Sequence, residues 1–474
     1  MKEKYKYLSK NVFLFTLSGF VPKILSFILI PIYTGYLSPA DYGISDLIVT
    51  TAMLLVPIFT LDIQDAVMRY ALDKSYDNAD VLSIAIKIIL KGSLIVTGIS
   101  VLLSLLNING LENTYLLFIV IMFLTSSLSN TFSLFCRGID KIKILTIGSI
   151  LNSGVMLISN ILFLVCFKWG LNGFLVANSL GALANILFIF IFAKLWRFIT
   201  FRDNKDVRKQ MIAFSFPLIF SVIAWWINNA SDRYVLTWIS GVSISGVYAI
   251  SYKIPNLLSM FQNIFTQAWS VSAIKEFDKK DTDGFIGNMF TLMNCSMVIV
   301  CSIILIFNVP LAYILYSNEF FLAWKNVPPL LISVVFNAMA LFIGSLFTAV
   351  KDTKTLAVST LVGAVMNIIF NFLLIYYFQA YGAAIATLIG YLVTFIIRYN
   401  SLRKYIKMKV NMKREAGAYV VLILQMMVSC LGVISIIIQP IFLILIFVIY
   451  KKEIKKIVEI LLRKIGKSKA NDNF

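Results

Sequence analysis

The chain has 474 residues, of which 59% are apolar and 14% charged, and a formal net charge of +19. Soluble domains run at about 45–50% apolar and about 25% charged, so a globular core cannot hide this much apolar surface and lipid must be the solvent for most of the chain. A soluble enzyme, a disordered chain and a fibrous protein are excluded, and the positive charge is not a nucleic-acid signal, because most basic residues sit in short gaps between apolar runs.

A helix needs about 20 apolar residues to cross about 30 Å of hydrocarbon. The first candidate, Val12–Ile32, is a full span rather than a cleavable signal peptide, and carries Lys23 in its middle. Ile44–Leu61 follows, with Asp62, Asp65 and Arg69 at its end. Leu82–Leu105 carries Lys87 and Lys91, one turn apart on one face. Tyr115–Phe135, Ile142–Cys166 and Leu171–Ala193 complete a first set of six. The second set opens with Ile212–Trp238, which holds Asp232-Arg233 late in its length as the pattern's one clear acid. Val242–Phe265 carries Lys253 midway, just before Pro255. Phe285–Phe307, Val327–Val350, Leu356–Phe378 and Gly382–Ile397 follow, and Ala416–Ile437 with the short Ile441–Tyr450 end the series. The reading is an all-α polytopic membrane protein of about 14 transmembrane helices.

With the N-terminus in the cytoplasm, 35 of the 42 Lys+Arg fall in cytoplasmic segments, two in outer loops and five within spans. That asymmetry places both termini in the cytoplasm by the positive-inside rule. The second set repeats the first. Shifted by 211 residues, Arg137–Phe163 lies on Thr348–Leu374, with Lys143 on Lys354 and Asn160 on Asn371. The shift spans an even number of helices, so the halves share an orientation. The expected organisation is an N-terminal six-helix lobe over 1–200, a second over 201–405, and a C-terminal helix pair with a basic tail over 406–474. Paired lobes suit alternating access, with a substrate between them near the midplane.

A charge inside a span marks a functional site by default. Lys23, Lys87, Lys91, Arg233 and Lys253 form the candidate site, with Asp232 as the ion-coupling candidate. The plainer readings are that Lys87 and Lys91 snorkel to the interface, and that Asp232 pairs with Lys253. A mostly basic set suits an anion such as pyrophosphate. The five cysteines form no CxxC pair and read as small core hydrophobes. There is no histidine, no phosphate-binding glycine loop and no acid–base pair in an aqueous segment, so neither an enzyme nor a cofactor or metal site is expected.

Several short motifs recur in a telling order. They are Lys10-Asn11, Leu25-Ser26-Phe27, Pro31-Ile32-Tyr33-Thr34, Leu37-Ser38-Pro39-Ala40-Asp41-Tyr42-Gly43, Ser231-Asp232-Arg233-Tyr234, Gly246-Val247-Tyr248, Gln267-Ala268-Trp269 and Lys351-Asp352-Thr353-Lys354. On fourteen spans they resemble the polysaccharide flippases of the multidrug/oligosaccharidyl-lipid/polysaccharide superfamily, over nearly the whole chain. The resemblance implies translocation of undecaprenyl-pyrophosphate-linked oligosaccharide units across a bacterial plasma membrane, for O-antigen, capsule or exopolysaccharide synthesis. It also implies a cationic central cavity, carried by position onto Lys23, Arg233 and Lys253. The implied partners are that lipid-linked oligosaccharide, membrane lipid and a polysaccharide polymerase, with a monomer expected. The first two helices lack the dense arginine cluster of lipid II flippases, which speaks against a peptidoglycan role. The alternatives are a cation antiporter of the multidrug and toxin extrusion type and a non-transporting scaffold.

Overall fold

The structure, a computed structural model, describes residues 19, 21–106, 112–200, 204–275 and 277–455. Residues 12–18 of the first expected span, the Lys10-Asn11 pair and the tail beyond 455 lie outside the described residues. The described residues are helical almost throughout, and no strand occurs among them. Among them nine helices are long and apolar enough to cross a membrane, with shorter apolar helices as well. Large apolar side chains cover the surface, Leu94 at 71% exposure and Ile437 at 80% among them. Water would not tolerate such a surface, so this is a multi-pass membrane protein.

The chain forms two compact units, Met1–Tyr234 and Val235–Phe474. The first unit contains α1 (Val21–Tyr36), α2 (Pro39–Phe59), α3 (Ile63–Leu72), α4 (Asn78–Leu105), α5 (Asn113–Gly138), α6 (Ile142–Asn160), α7 (Gly170–Phe192) and most of α8 (Lys205–Ser240). Ser38 and Asp41 start α2 with a reciprocal capping box ahead of Pro39. The expected second span is one helix that ends at Phe59: Leu61 and Asp62 take left-handed backbone, with φ 54° and 50°, and α3 begins after them. The core of this unit gathers Ile63, Val67, Val81, Phe132, Phe135, Ile189 and Met211.

Small residues set how closely the helices approach. A Cβ added to Gly92 on α4 would lie 2.2 Å from the Phe59 carbonyl oxygen. That oxygen is backbone and has no rotamer to escape into. Gly92→Ala is therefore expected to destabilise the first unit by about 1–3 kcal/mol through overpacking. Thermal unfolding in detergent checks this, and an unchanged midpoint would refute the close approach.

The second unit holds the end of α8, then α9 (Val242–Ser251), α10 (Pro255–Lys275), α11 (Phe285–Ile306), α12 (Asn308–Leu315), α13 (Val327–Ala349), α14 (Thr353–Leu402), α15 (Met412–Ser429) and α16 (Ser435–Ile449). Two expectations on helix breaks are corrected here. The eighth span is not continuous: it breaks at Tyr252–Ile254, because Pro255 offers no N–H and disfavours helical backbone at the residue before it. The eleventh and twelfth spans are separate as expected, the two arms of α14, which reverses at Gln379, where φ is 48° and ψ −129°. The last pair divides at Gly432, with φ +64°, so α16 begins at Ser435 and Pro440 sits inside it.

The matching hairpins of the two units share a packing device. Gly148 on α6 faces Asn185 on α7, at 2.5 Å for an added Cβ. In α14, Gly363 faces Thr394 at 2.0 Å and Gly390 faces Asn367 at 3.0 Å. Asn160 and Asn371, paired by the repeat, are both fully buried. At the head of α14, Asp352 accepts from the Thr355 amide at 3.0 Å and its hydroxyl at 2.6 Å, which holds its carboxyl below the usual carboxylate range. Of the cysteines, Cys136, Cys295 and Cys301 are buried as expected of small hydrophobes, but Cys166 and Cys430 are exposed on the apolar surface.

Candidate functional site

The densest polar cluster of the first unit forms where α2 meets α8. An acid inside an apolar helix is stable only with a partner. Asp46 on α2 finds one in Arg233 on α8, at 2.6 Å from carboxylate oxygen to Nε. Asp232, 1% exposed, lies on the other side of the same guanidinium at 3.9 Å. Its carboxylate also accepts the Arg233 backbone N–H at 2.9 Å. Arg233 donates further to the Asn229 carbonyl, one turn back on α8. The cluster therefore holds two carboxylates on one guanidinium.

The same two helices are bound together on either side of the charges. The Tyr234 hydroxyl lies 2.7 Å from that of Thr51 and 3.3 Å from that of Thr50. Trp226 donates its indole N–H to the Thr50 carbonyl at 2.9 Å, and its ring stands 5.3 Å from that of Tyr234. Residues 46, 50 and 51 share one face of α2, and 226, 229, 233 and 234 share one face of α8. The contact is therefore a seam several turns long, with the ion pair at one end.

Lys23 on α1 and Lys91 on α4 are exposed, and among the described residues neither makes a hydrogen bond or ion pair. Lys87 is half-buried and engaged. Lys253 belongs to the second unit, half-buried at the break between α9 and α10, not midway along a helix. Beside it, Tyr252 shares a hydroxyl contact of 3.0 Å with Tyr248. Tyr248 continues to Thr387 at 3.5 Å, and a chain of side-chain amides runs on through Asn367 to Asn371.

Three charged groups escaped the pattern reading. Asp46 lies inside the run Ile44–Leu61, so Asp232 is not the one acid within the spans; the signal was Asp46 four residues before Thr50. Arg398 was assigned to a cytoplasmic linker, yet it is 7% exposed within α14. It donates to Ser359 at 3.0 Å, to the Ala340 carbonyl at 2.8 Å and to Thr360 at 2.8 Å. Glu415, one residue before the expected span Ala416–Ile437, is fully buried. It accepts from Tyr450 at 2.6 Å, Asn294 at 2.7 Å and Arg414 at 2.7 Å. Both lie just beyond the ends of apolar runs, where hydropathy assigns residues to water.

A family model described as a polysaccharide biosynthesis protein matches residues 8–271. The chain belongs to this family. Its fold is shared with solved membrane transporters. A structure of the lipid II flippase MurJ in an inward closed conformation is 16% identical, with a TM-score of 0.68, over 94% of this chain and 99% of that one. An inward-facing multidrug resistance MATE family transporter of the MOP superfamily is 15% identical, with a TM-score of 0.61, over 85% of this chain and 95% of that one. An outward-facing structure of such a transporter has a TM-score of 0.57 at 15% identity, over 86% and 94%. No curated protein gives a significant sequence match.

The Asp46–Arg233–Asp232 cluster can exchange partners. One guanidinium stands between two carboxylates, and a second anion or a proton alters which of them it holds.

Proposed function

We propose that this protein is a flippase that moves undecaprenyl-pyrophosphate-linked oligosaccharide repeat units across the bacterial plasma membrane for O-antigen, capsule or exopolysaccharide synthesis. Membership of the polysaccharide biosynthesis family on a MOP-transporter fold is the observation that carries the reading. In this proposal Lys23, Arg233 and Lys253, with Lys87 and Lys91, attract the pyrophosphate. The sugars pass between two six-helix lobes, 1–200 and 201–405, and the polyprenyl chain stays in lipid. Asp232 couples the cycle to a proton or sodium gradient, or the membrane potential drives it at about 2.3 kcal/mol per unit charge per 100 mV. Both termini face the cytoplasm, a polysaccharide polymerase is the partner in the membrane, and the protein works as a monomer.

The test is reconstitution into liposomes with a fluorescent undecaprenyl-pyrophosphate oligosaccharide, followed by its protection from an external quencher. Lys23→Ala is expected to slow translocation by about tenfold or more, because an exposed cation on a first-lobe helix meets the pyrophosphate directly. Unchanged translocation in Lys23→Ala removes that residue from the site. Failure of the wild type under every imposed gradient removes the flippase reading itself.

A specific observation favours a second reading, a cation antiporter of the multidrug and toxin extrusion type. With Asp46 counted, two carboxylates stand where α2 meets α8, and acids are what a cation site requires. Uptake of an organic cation against a proton gradient by the same liposomes, lost in Asp46→Asn, would select it.

A further inference from the structure

The first turns of α8 combine two surfaces that seldom coincide. One face carries Val207, Met211, Ser215 and Ile219 at a spacing of four residues, all buried in the first unit. The opposite face begins with three cations. Lys205 and Lys209 are exposed and Arg208 half-buried, with Asp206 the acid among them. Immediately below, the same face turns apolar through Ile212, Ala213, Phe216 and Pro217. Phe216 is 50% exposed, and Phe220, a turn further on, 67%. An open groove of about 630 Å³ follows this face from Lys205 to Pro217. Eleven residues of helix separate Lys209 from Phe220, a rise of about 16 Å, comparable with the length of an extended acyl chain.

The charge arrangement calls for an anion. A helix N-terminus already carries about half a positive charge, so cations in the first turn are unfavourable unless something negative sits beside them. Asp206 offsets one of three. The apolar floor beneath excludes a small hydrated anion as the natural occupant, since Phe216 and Phe220 would then stay exposed. Basic residues at the end of an amphipathic helix face are the pattern that holds anionic lipid.

The geometry points to this groove as a site for an anionic phospholipid of the bilayer, with its phosphate on Lys205, Arg208 and Lys209 and one chain lying along Ile212, Ala213 and Phe216. Pro217 has no N–H to return to the Ala213 carbonyl, so a lipid hydroxyl has an acceptor within the groove. This site is independent of the translocated substrate and of the proposed function. It ties the start of α8 to one leaflet of the membrane.

The experiment uses the full chain in nanodiscs of equal phosphatidylglycerol and phosphatidylcholine, released into native mass spectrometry to identify the retained lipid. The wild type is expected to hold phosphatidylglycerol about 25-fold over phosphatidylcholine, at a factor of about five for each of two net basic residues. Lys205→Gln/Arg208→Gln/Lys209→Gln should abolish that preference while the thermal midpoint in detergent stays put. Phe216→Asp should weaken retention with the cations intact. Three outcomes overturn the site. They are equal retention of both lipids by the wild type, an unchanged preference in the triple variant, and displacement of phosphatidylglycerol by inorganic phosphate. The first means ordinary boundary lipid, the second a site elsewhere, the third a free-anion site.

Discussion

Arg233→Ala is expected to abolish transport and to destabilise the first unit by about 3–5 kcal/mol, the cost of leaving a buried ion without its partner. The substitution strands two carboxylates together, Asp46 at 2.6 Å from the lost Nε and Asp232 nearly sealed from solvent. Asp46→Asn should cost less, because Asp232 remains to neutralise the guanidinium and the amide still accepts a hydrogen bond. The double variant Asp46→Asn/Arg233→Gln should then be more stable than Arg233→Ala, since its one remaining carboxylate has no like charge beside it. Thermal midpoints of the four proteins in detergent, read beside their translocation rates, give the answer. If Arg233→Ala and Asp46→Asn destabilise equally, Asp232 plays no part in the cluster. If transport survives in Arg233→Ala, the cluster is structural.

Glu415→Ala should be comparably severe, by about 3–5 kcal/mol, and its damage should be confined to the last two helices. The carboxylate receives hydrogen bonds from α11 through Asn294, from its neighbour Arg414, and from Tyr450 at the end of α16. Arg414 also bridges to Glu453, and Tyr419 closes the network by donating to Asn294 at 2.9 Å. Removing Glu415 leaves the Tyr450 hydroxyl buried without an acceptor and the Asn294 amide with the Tyr450 oxygen alone, at 3.1 Å, and the hydroxyl then incurs its desolvation penalty. Glu415→Gln keeps the shape and one acceptor, so it should recover roughly half the loss. Limited proteolysis of the linker before α15 gives a local reading, with faster cleavage in Glu415→Ala and near-normal cleavage in Glu415→Gln. Cleavage unchanged in both would mean that apolar contacts alone hold the helix pair.

Much of this architecture was legible because hydropathy and helix length are local properties. A run such as Leu82–Leu105 or Val327–Val350 has only one way to satisfy its backbone in lipid, and both are single helices in the structure. The breaks were less legible. Pro255 was visible as a disturbance, yet periodicity does not say whether a proline bends a helix or ends it. Gly432 and Pro440 compete to end a helix within nine residues, and the left-handed glycine prevails. Asp46 hides inside an apolar run, and Arg398 and Glu415 fall outside the expected spans because Arg398 stands a residue after one apolar run and Glu415 a residue before another. Burial of such residues depends on neighbouring helices that a one-dimensional pattern does not contain.

Composition and run length by themselves determined that the chain is helical, lies in a membrane and carries cations within its spans. They do so because transfer of a backbone group or an apolar side chain between water and lipid depends on that residue and its immediate neighbours. Only the tertiary structure decided which charges meet. Asp46 and Arg233 are separated by most of the first unit in sequence and by 2.6 Å in space. The strength of such a pair falls off with distance and solvent access, and neither quantity exists until the helices have packed.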